Sequence, residues 1–227
     1  MKEKNKPDFK KSLKTAYPYP VLNYFRVQRY INRPLAYLIV RSVFNTPVTP
    51  NQLTYVSFFF GIASGFVYCG ASHFSFALAG IFAFMASVFD NADGMLARSK
   101  NQCTHYGTYL DLFLDRIADF FILTGICVGN YLHSHNLSLF IVGLIGVGLY
   151  FLQVSLYYVI NQYKQTQRTG DAAEARGLAL FVVMILSLLN MLQVIIWILI
   201  VETILNISFK IVNFTWRYWK ESQSLKS

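Results

Sequence analysis

Long apolar runs alternate with short polar connections along most of the chain, and this alternation predicts membrane-spanning helices. Six stretches reach the roughly 20 residues that a helix needs to cross the hydrocarbon core of a bilayer: 50–70, 74–97, 106–133, 138–162, 171–190 and 192–212. The apolar tract from Leu178 to Phe209 is too long for one crossing, so we expect a turn near Asn190. The pattern predicts an all-α membrane protein with six transmembrane helices.

A different pattern precedes the first predicted span. Over 21–46, one side of a helical wheel is apolar and the opposite side is basic: Val27, Ile31, Leu35 and Leu38 against Arg26, Arg29 and Arg33. This pattern predicts an amphipathic juxtamembrane helix with its basic face towards lipid headgroups, kinked or restarted at Pro34. The predicted organisation is a mobile basic segment (1–20), the surface helix (21–46), a transmembrane catalytic domain (47–213) and a cytoplasmic tail (214–227).

Composition agrees with a membrane protein, and the placement of charge predicts its orientation. Hydrophobic residues make up 55% of the chain and charged residues only 14%, whereas soluble domains carry about 25% charged residues. The net charge is +9, but Lys and Arg avoid the connections at 70–72 and 133–136. By the positive-inside rule, both termini are expected in the cytoplasm of an inner-membrane protein. The basic balance is therefore interpreted as topology and lipid attraction, not as nucleic-acid binding.

Four aspartates interrupt this apolar pattern in the sequence DNADGMLARSKNQCTHYGTYLDLFLD, residues 90–115. Asp90 and Asp93 are three residues apart, and Asp111 and Asp115 are four apart, so each pair lies on one helical face. The connection between the second and third predicted spans can bring these two faces opposite each other. The sequence therefore predicts a cluster of four carboxylates near the cytoplasmic surface.

Four ionised carboxylates beside a low-dielectric slab repel each other and need compensating charge. Two divalent cations supply it, and carboxylate ligands suit Mg²⁺, Mn²⁺ or Ca²⁺ better than Zn²⁺. A two-cation site can stabilise both oxygens of a phosphoryl displacement. Intramembrane aspartates also line ion pathways in transporters, so the residues alone leave phosphoryl transfer, transport and a structural role open.

The residues between the two pairs fit phosphoryl transfer. Gly94 lets a phosphate or sugar approach the backbone, and Arg98 can neutralise phosphate oxygens through its planar fork. Gly107 is expected to let the third span pass close to the second. Glycines four apart, at Gly61/Gly65 and Gly125/Gly129, predict tight helix contacts, either within the chain or at the seam of a homodimer.

The complete pattern is similar to a known family signature. The motif Asp90-x2-Asp93-Gly94-x2-Ala97-Arg98-x8-Gly107-x3-Asp111-x3-Asp115 resembles that of the CDP-alcohol phosphatidyltransferases without a departure. The resemblance extends to a surface helix, a Thr-Pro-Asn start to the first span at 49–51, and six spans. It implies transfer of a phosphatidyl group from CDP-diacylglycerol, or a similar CDP-alcohol, to the hydroxyl of a second alcohol, with release of CMP.

The resemblance also implies roles for the motif residues. Asp90, Asp93 and Asp111 would ligate two ions, Mg²⁺ or Mn²⁺, and Asp93 would be shared. Asp115 would accept the proton of the acceptor hydroxyl and could also touch the second ion. Four residues would line the site for the CDP moiety: Gly94, Ala97, Arg98 and Gly107.

The acceptor is predicted from the sequence LDRIAD at 114–119, which looks like that of family members using inositol or inositol phosphate. A cationic pocket for an acceptor phosphate would draw on Arg116, Lys164, Arg168 or Arg176, although each could instead be a cytoplasmic anchor. The alternatives are a phosphatidylglycerophosphate synthase acting on glycerol 3-phosphate and, in another class, a cation-coupled transporter. Asp119 is expected to bond Arg116 or a neighbouring helix, and Asn190 and Glu202 to form bonds between helices.

Overall fold

The computed structural model describes residues 31–164 and 170–224, with side chains over 31–159 and 176–216. Within these ranges the chain forms seven α-helices and no strand, which confirms the all-α class. The helices are α1 (Arg33–Val43), α2 (Pro50–Tyr68), α3 (His73–Ser99), α4 (His105–Ser134), α5 (Leu137–Lys164), α6 (Gly170–Leu188) and α7 (Leu192–Ser224). The predicted N-terminal segment, the first part of the surface helix and Arg168 lie outside the described residues.

Three of the described helices are long and apolar enough to cross a membrane. These are α3, the Leu137–Val159 part of α5 and the Leu192–Trp216 part of α7, and Arg176–Leu188 forms a shorter apolar helix. They indicate an integral membrane protein. Crossing of the bilayer by all six long helices stays a prediction.

Helix α2 packs against both α3 and α4 through a face of small and polar residues. Ser57 Oγ donates to the Ala86 carbonyl and Ser64 Oγ to the Ala79 carbonyl, each at 2.8 Å, so both hydroxyls bond the backbone of α3. Apolar burial adds little to helix association in lipid, so close packing and such bonds hold the helices together.

The predicted glycine contacts lie within the chain, between α2 and α4. A Cβ added to Gly125 would collide with the Gly65 backbone, and one added to Gly129 would collide with the Tyr68 carbonyl. A Cβ on Gly61 would come within 2.6 Å of the Ala118 methyl carbon. Of the two alternatives, the structure shows an intramolecular seam at these glycines, so they give no support to a homodimer.

Helix α6 packs along α3 and so carries its first turns towards the aspartates. The Tyr68 and Ser187 hydroxyls form a buried 2.6 Å hydrogen bond between α2 and α6. A Cβ on Gly80 of α3 would lie 2.7 Å from the Ser187 side chain, so the two helices are in close contact there. From this contact α6 runs back about 16 Å to Arg176, at 1.5 Å per residue.

The surface helix α1 packs on α3 through residues different from those expected. Asn32, Ala36 and Val40 are fully buried, and Asn32 Nδ2 donates to Ser87 Oγ at 3.1 Å. Leu38, from the predicted apolar stripe, is 58% exposed. Because Ala36 is small and the Asn32 amide bonds Ser87, α1 can approach α3 closely, whereas a stripe of bulky leucines would hold the two helices further apart.

A lysine joins the end of α3 to the connection between α1 and α2. Lys100 Nζ donates to the carbonyls of Thr46 and Val48 at 2.9 and 2.8 Å. Partial burial lowers the pKa of the Lys100 ammonium. This contact ties the surface helix to the end of α3 that carries Asp90 and Asp93.

Candidate active site

The aspartates lie between α3 and α4, which make few direct contacts because α2 packs against both. One carboxylate oxygen from each of Asp90, Asp93 and Asp111 lies within 4.8 Å of the others. We call these three residues the acidic cluster. The helical spacing predicted which residues share a face, and the packing on α2 brings the two faces together.

The acidic cluster fits a divalent cation. Asp93 is 6% exposed, and Asp111 Oδ1 is buried without a hydrogen-bond partner among the described residues. Converging carboxylate oxygens are ligands that suit hard cations such as Mg²⁺ or Mn²⁺.

Thr54 on α2 fixes one carboxylate of the cluster and was not found by the sequence analysis. Its hydroxyl donates to Asp93 Oδ2 at 2.5 Å, and both side chains are buried. The available signal was a run of small or polar residues on one face of an apolar span, Thr54, Ser57, Gly61 and Ser64. Such a face indicates protein contacts, but it does not indicate which carboxylate the threonine meets.

Asp115 lies beside the acidic cluster, not within it. It sits one turn further along α4 than Asp111, and its Oδ1 is 2.9 Å from Nη1 of Arg176. Its side chain is 12% exposed. The structure therefore places the expected proton acceptor against a buried guanidinium supplied by α6.

Arg176 is the centre of a charged network that reaches α5. Its Nε donates to Asp119 Oδ1 at 2.9 Å. The other oxygen of Asp119 accepts from Tyr150 Oη at 2.8 Å and lies 3.2 Å from Nη1 of Arg116. Nη1 of Arg116 also donates to Tyr150 Oη at 3.0 Å. The expected pairing of Asp119 with Arg116 is confirmed, and its bond to Arg176 adds a second helix.

The structure thus brings two of the four candidate phosphate-binding residues to the site. Arg116 is 27% exposed and Arg176 is 8% exposed. The side chains of Lys164 and Arg168 lie outside the described residues. Arg176 is not a surface anchor, because it is buried among Asp90, Asp115 and Asp119.

The residues expected around the nucleotide lie at the same end of the bundle. The Arg98 guanidinium lies against Gly94, 3.4 Å from where a Cβ would stand, and Ala97 is half-buried. Gly107 does not face α3 as expected: its nearest neighbours are the Thr104 hydroxyl and the Asn51 side chain of α2. The expectation was wrong because α2, and not α3, packs along this part of α4.

Two other polar residues, Asn190 and Glu202, do not form the expected helix-to-helix bonds within the part of the chain that the structure describes. Asn190 has a φ of 57° and ends α6 in a left-handed turn. Glu202 accepts from the Asn206 side chain, four residues on in the same helix, at 2.5 Å. Asn190 thus serves the backbone turn after α6, and Glu202 finds its partner four residues on in its own helix.

Comparison with known proteins gives a family match and several relatives. The family model described as CDP-alcohol phosphatidyltransferase matches residues 47–207. A protein of Pyrococcus horikoshii named "Archaetidylinositol phosphate synthase" is 25% identical over 175 residues, 74% of this chain and 84% of that protein.

Relatives named "Bifunctional IPC transferase and DIPP synthase" match over a shorter region. That of Archaeoglobus fulgidus is 38% identical over 97 residues, 43% of this chain and 19% of that protein. That of Aquifex aeolicus is 40% identical over 80 residues, 35% of this chain and 18% of that protein. The chain thus matches about a fifth of the length of these bifunctional relatives.

The family model covers all four aspartates and both arginines of the network, as well as Thr54 and Tyr150. The match spans the helices that build the site, from α2 to the first half of α7. The chain belongs to the CDP-alcohol phosphatidyltransferase family.

Proposed function

We propose that this protein transfers a phosphatidyl-type group from a CDP-linked lipid alcohol, such as CDP-diacylglycerol, to a hydroxyl of a polyol phosphate, and releases CMP. The reaction class is supported by membership of the family. The observation that carries the proposal is the acidic cluster beside Asp115 and Arg176. It supports the proposal because three candidate metal ligands, a candidate proton acceptor and a candidate phosphate-binding cation lie close together.

Asp90, Asp93 and Asp111 would hold a divalent cation, Mg²⁺ or Mn²⁺, and Asp115 would contribute to a second ion beside it. When bound, such ions neutralise phosphate charge and stabilise the attacking and leaving oxygens of an in-line displacement. Thr54 holds Asp93 in one orientation through its hydrogen bond. This restraint keeps the cluster in place before any ligand binds.

Other residues of the chain would then bind the nucleotide and remove the proton of the acceptor hydroxyl. Gly94, Ala97, Arg98 and Gly107 would line the CDP moiety. Asp115, held by Arg176 on one oxygen, would take the acceptor proton on the other as the acceptor oxygen bonds to the lipid-bearing phosphorus. The bond from that phosphorus to CMP breaks, and CMP leaves with the electron pair.

An inositol phosphate acceptor is favoured over glycerol 3-phosphate by two observations. The relative that this chain matches over most of its length is named "Archaetidylinositol phosphate synthase". Arg116 and Arg176 are joined through Asp119, and Arg176 also pairs with Asp115, so two guanidiniums belong to the network that contains Asp115. Guanidiniums bind phosphate through paired donors, so an acceptor phosphate can be held there with a hydroxyl near Asp115.

The test is CMP release by purified protein given CDP-diacylglycerol and one acceptor at a time. Inositol phosphate should support release, whereas inositol, glycerol 3-phosphate and serine should give much less. EDTA should abolish release, and added Mg²⁺ or Mn²⁺ should restore it. If only glycerol 3-phosphate supported CMP release, the proposed inositol phosphate acceptor would be wrong. Full activity in metal-free protein would exclude the acidic cluster as a required metal site.

The proposed location is the inner membrane, crossed six times, with both termini and the active site facing the cytoplasm. Two native cysteines at opposite ends of the bundle test this orientation. Cys103, between α3 and α4, and Cys69, at the end of α2, are both exposed, whereas Cys127 is buried.

In inverted membrane vesicles, a membrane-impermeant maleimide should label Cys103 in a variant that lacks Cys69 and Cys127. The matched variant that keeps only Cys69 should be labelled in right-side-out vesicles. Labelling of Cys103 from the outside would reverse the proposed orientation. Labelling of both residues from one side would contradict a membrane crossing by α3.

A further inference from the structure

Arg176 occupies a position in which it competes with any cation bound by the aspartates. Its Nη1 lies 2.9 Å from Asp115 Oδ1 and 3.7 Å from Asp90 Oδ2, and only 8% of the side chain is exposed. Asp90 also belongs to the acidic cluster. One carboxylate is therefore shared between a protein cation and the candidate metal position.

Asp119 holds the same guanidinium from the opposite side. Its Oδ1 accepts from Nε of Arg176, while its Oδ2 is occupied by Arg116 and Tyr150. Because Asp119 is buried and bonded through both oxygens, it sets how far Arg176 can reach towards Asp90.

The guanidinium is nevertheless not fully bonded. Nη2 of Arg176 is buried and has no hydrogen-bond partner among the side chains and backbone that the structure describes. A buried charged donor without a partner is costly, so this atom is suited to a ligand that completes its bonding. The side chain thus contacts the carboxylates through Nη1 and Nε, and Nη2 can still donate a hydrogen bond to an anion.

We propose that Arg176 is a built-in counter-cation of the acidic site. It offsets part of the negative charge of Asp90 and Asp115 before a divalent cation binds, and it is drawn away from Asp90 when the cation arrives. The released donors then bind the acceptor phosphate. Asp119 is the positioning residue that limits the hold of Arg176 on the carboxylates. This inference rests on the metal site of the proposed function.

The first test measures Mn²⁺ affinity by electron paramagnetic resonance, using the full chain in detergent without substrates. Arg176→Gln removes the competing charge, so Mn²⁺ should bind about tenfold more tightly than to wild type. Asp119→Asn frees Arg176 to pair more strongly with the cluster, so Mn²⁺ should bind about threefold to tenfold more weakly.

The matched control is Arg116→Gln. It removes the same charge from the same network, but Arg116 is bonded to Asp119 and Tyr150 and not to the acidic cluster. Its Mn²⁺ affinity should change by less than about threefold. A merely structural role for Arg176 would weaken Mn²⁺ binding in Arg176→Gln, the opposite of the expected direction.

A double-mutant cycle tests whether Asp119 acts through Arg176. In the Arg176→Gln background, Asp119→Asn should no longer weaken Mn²⁺ binding. Equal weakening in both backgrounds would show that Asp119 acts on the metal site independently. Failure of wild type to bind Mn²⁺ would overturn the metal site itself, whereas wild-type binding that Arg176→Gln leaves unchanged would overturn only the counter-cation.

If Arg176→Gln does not fold, the proposal can be tested on wild-type protein by ¹⁵N NMR of the arginine Nε–Hε groups, which reports whether Arg176 changes its contacts when Mg²⁺ binds. Added Mg²⁺ should shift the Arg176 signal, assigned with Arg176→Lys, by much more than the Arg116 signal. An unshifted Arg176 signal under conditions in which Mg²⁺ is bound would overturn the proposal.

Discussion

Asp93→Asn is expected to reduce turnover by at least about 10³-fold, because it removes charge from the proposed cation site, and bound cations stabilise such transition states by several kcal/mol. Asp93 is the buried member of the acidic cluster and the one held by Thr54. Asparagine keeps the shape and can still accept from the threonine hydroxyl, so the helices should stay in place. The measurement is CMP release at saturating Mg²⁺.

Thr54→Val gives the graded control for this prediction. It removes the short hydrogen bond to the carboxylate together with a longer one, 3.3 Å, to the Pro50 carbonyl, and bonds to charged groups contribute about 1.5–3 kcal/mol. Its loss of turnover should therefore be about 10- to 100-fold, smaller than that of Asp93→Asn, and excess Mg²⁺ should recover part of it. If Asp93→Asn lost no more turnover than Asp119→Asn in folded protein, the assignment of Asp93 as a central metal ligand would be wrong.

Asp115→Asn should leave CDP binding close to that of wild type while lowering turnover by about 10² to 10⁴-fold, the usual contribution of a positioned base. The reason lies in its position. Asp115 is one turn beyond Asp111 and pairs with Arg176, away from Gly94 and Arg98, where the nucleotide is proposed to lie. Measuring CDP affinity beside turnover at saturating Mg²⁺ separates these two effects.

Asp90→Asn is the comparison variant for this second prediction. Asp90 belongs to the acidic cluster, so its replacement should weaken metal-dependent CDP binding as well as turnover. Equal losses of CDP affinity in the two variants would make Asp115 chiefly a metal ligand, and the proton acceptor would have to be another group.

The acidic cluster could be predicted from sequence because its members are linked by local geometry. Spacings of three and four residues place each aspartate pair on one helical face, and a short connection joins the two helices. The surrounding glycines, Ala97 and Arg98 were identified by the same motif. In these positions, helical periodicity and a short loop fix most of the arrangement.

The partners that Asp93 and Asp119 find on distant helices could not be predicted, whereas the local pairing of Asp119 with Arg116 could. Arg176 lies 57 residues beyond Asp119, and Thr54 lies 39 residues before Asp93. Periodicity gives the face on which a side chain lies, but the order in which helices pack decides what that face meets. Gly107 illustrates the point, since it lies against Asn51 of α2 although α3 was expected there.

The glycine seam between α2 and α4 has a consequence for how the bilayer acts on the enzyme. Backbone meets backbone where Gly65 contacts Gly125 and where Tyr68 contacts Gly129, so neither helix can rotate or slide without a collision. The serine bonds from α2 to α3 fix the third helix in the same way. We therefore expect changes in lateral pressure or hydrocarbon thickness to move the more exposed helices α5 and α7 more than α2, α3 and α4, and to leave the spacing of the carboxylates nearly unchanged.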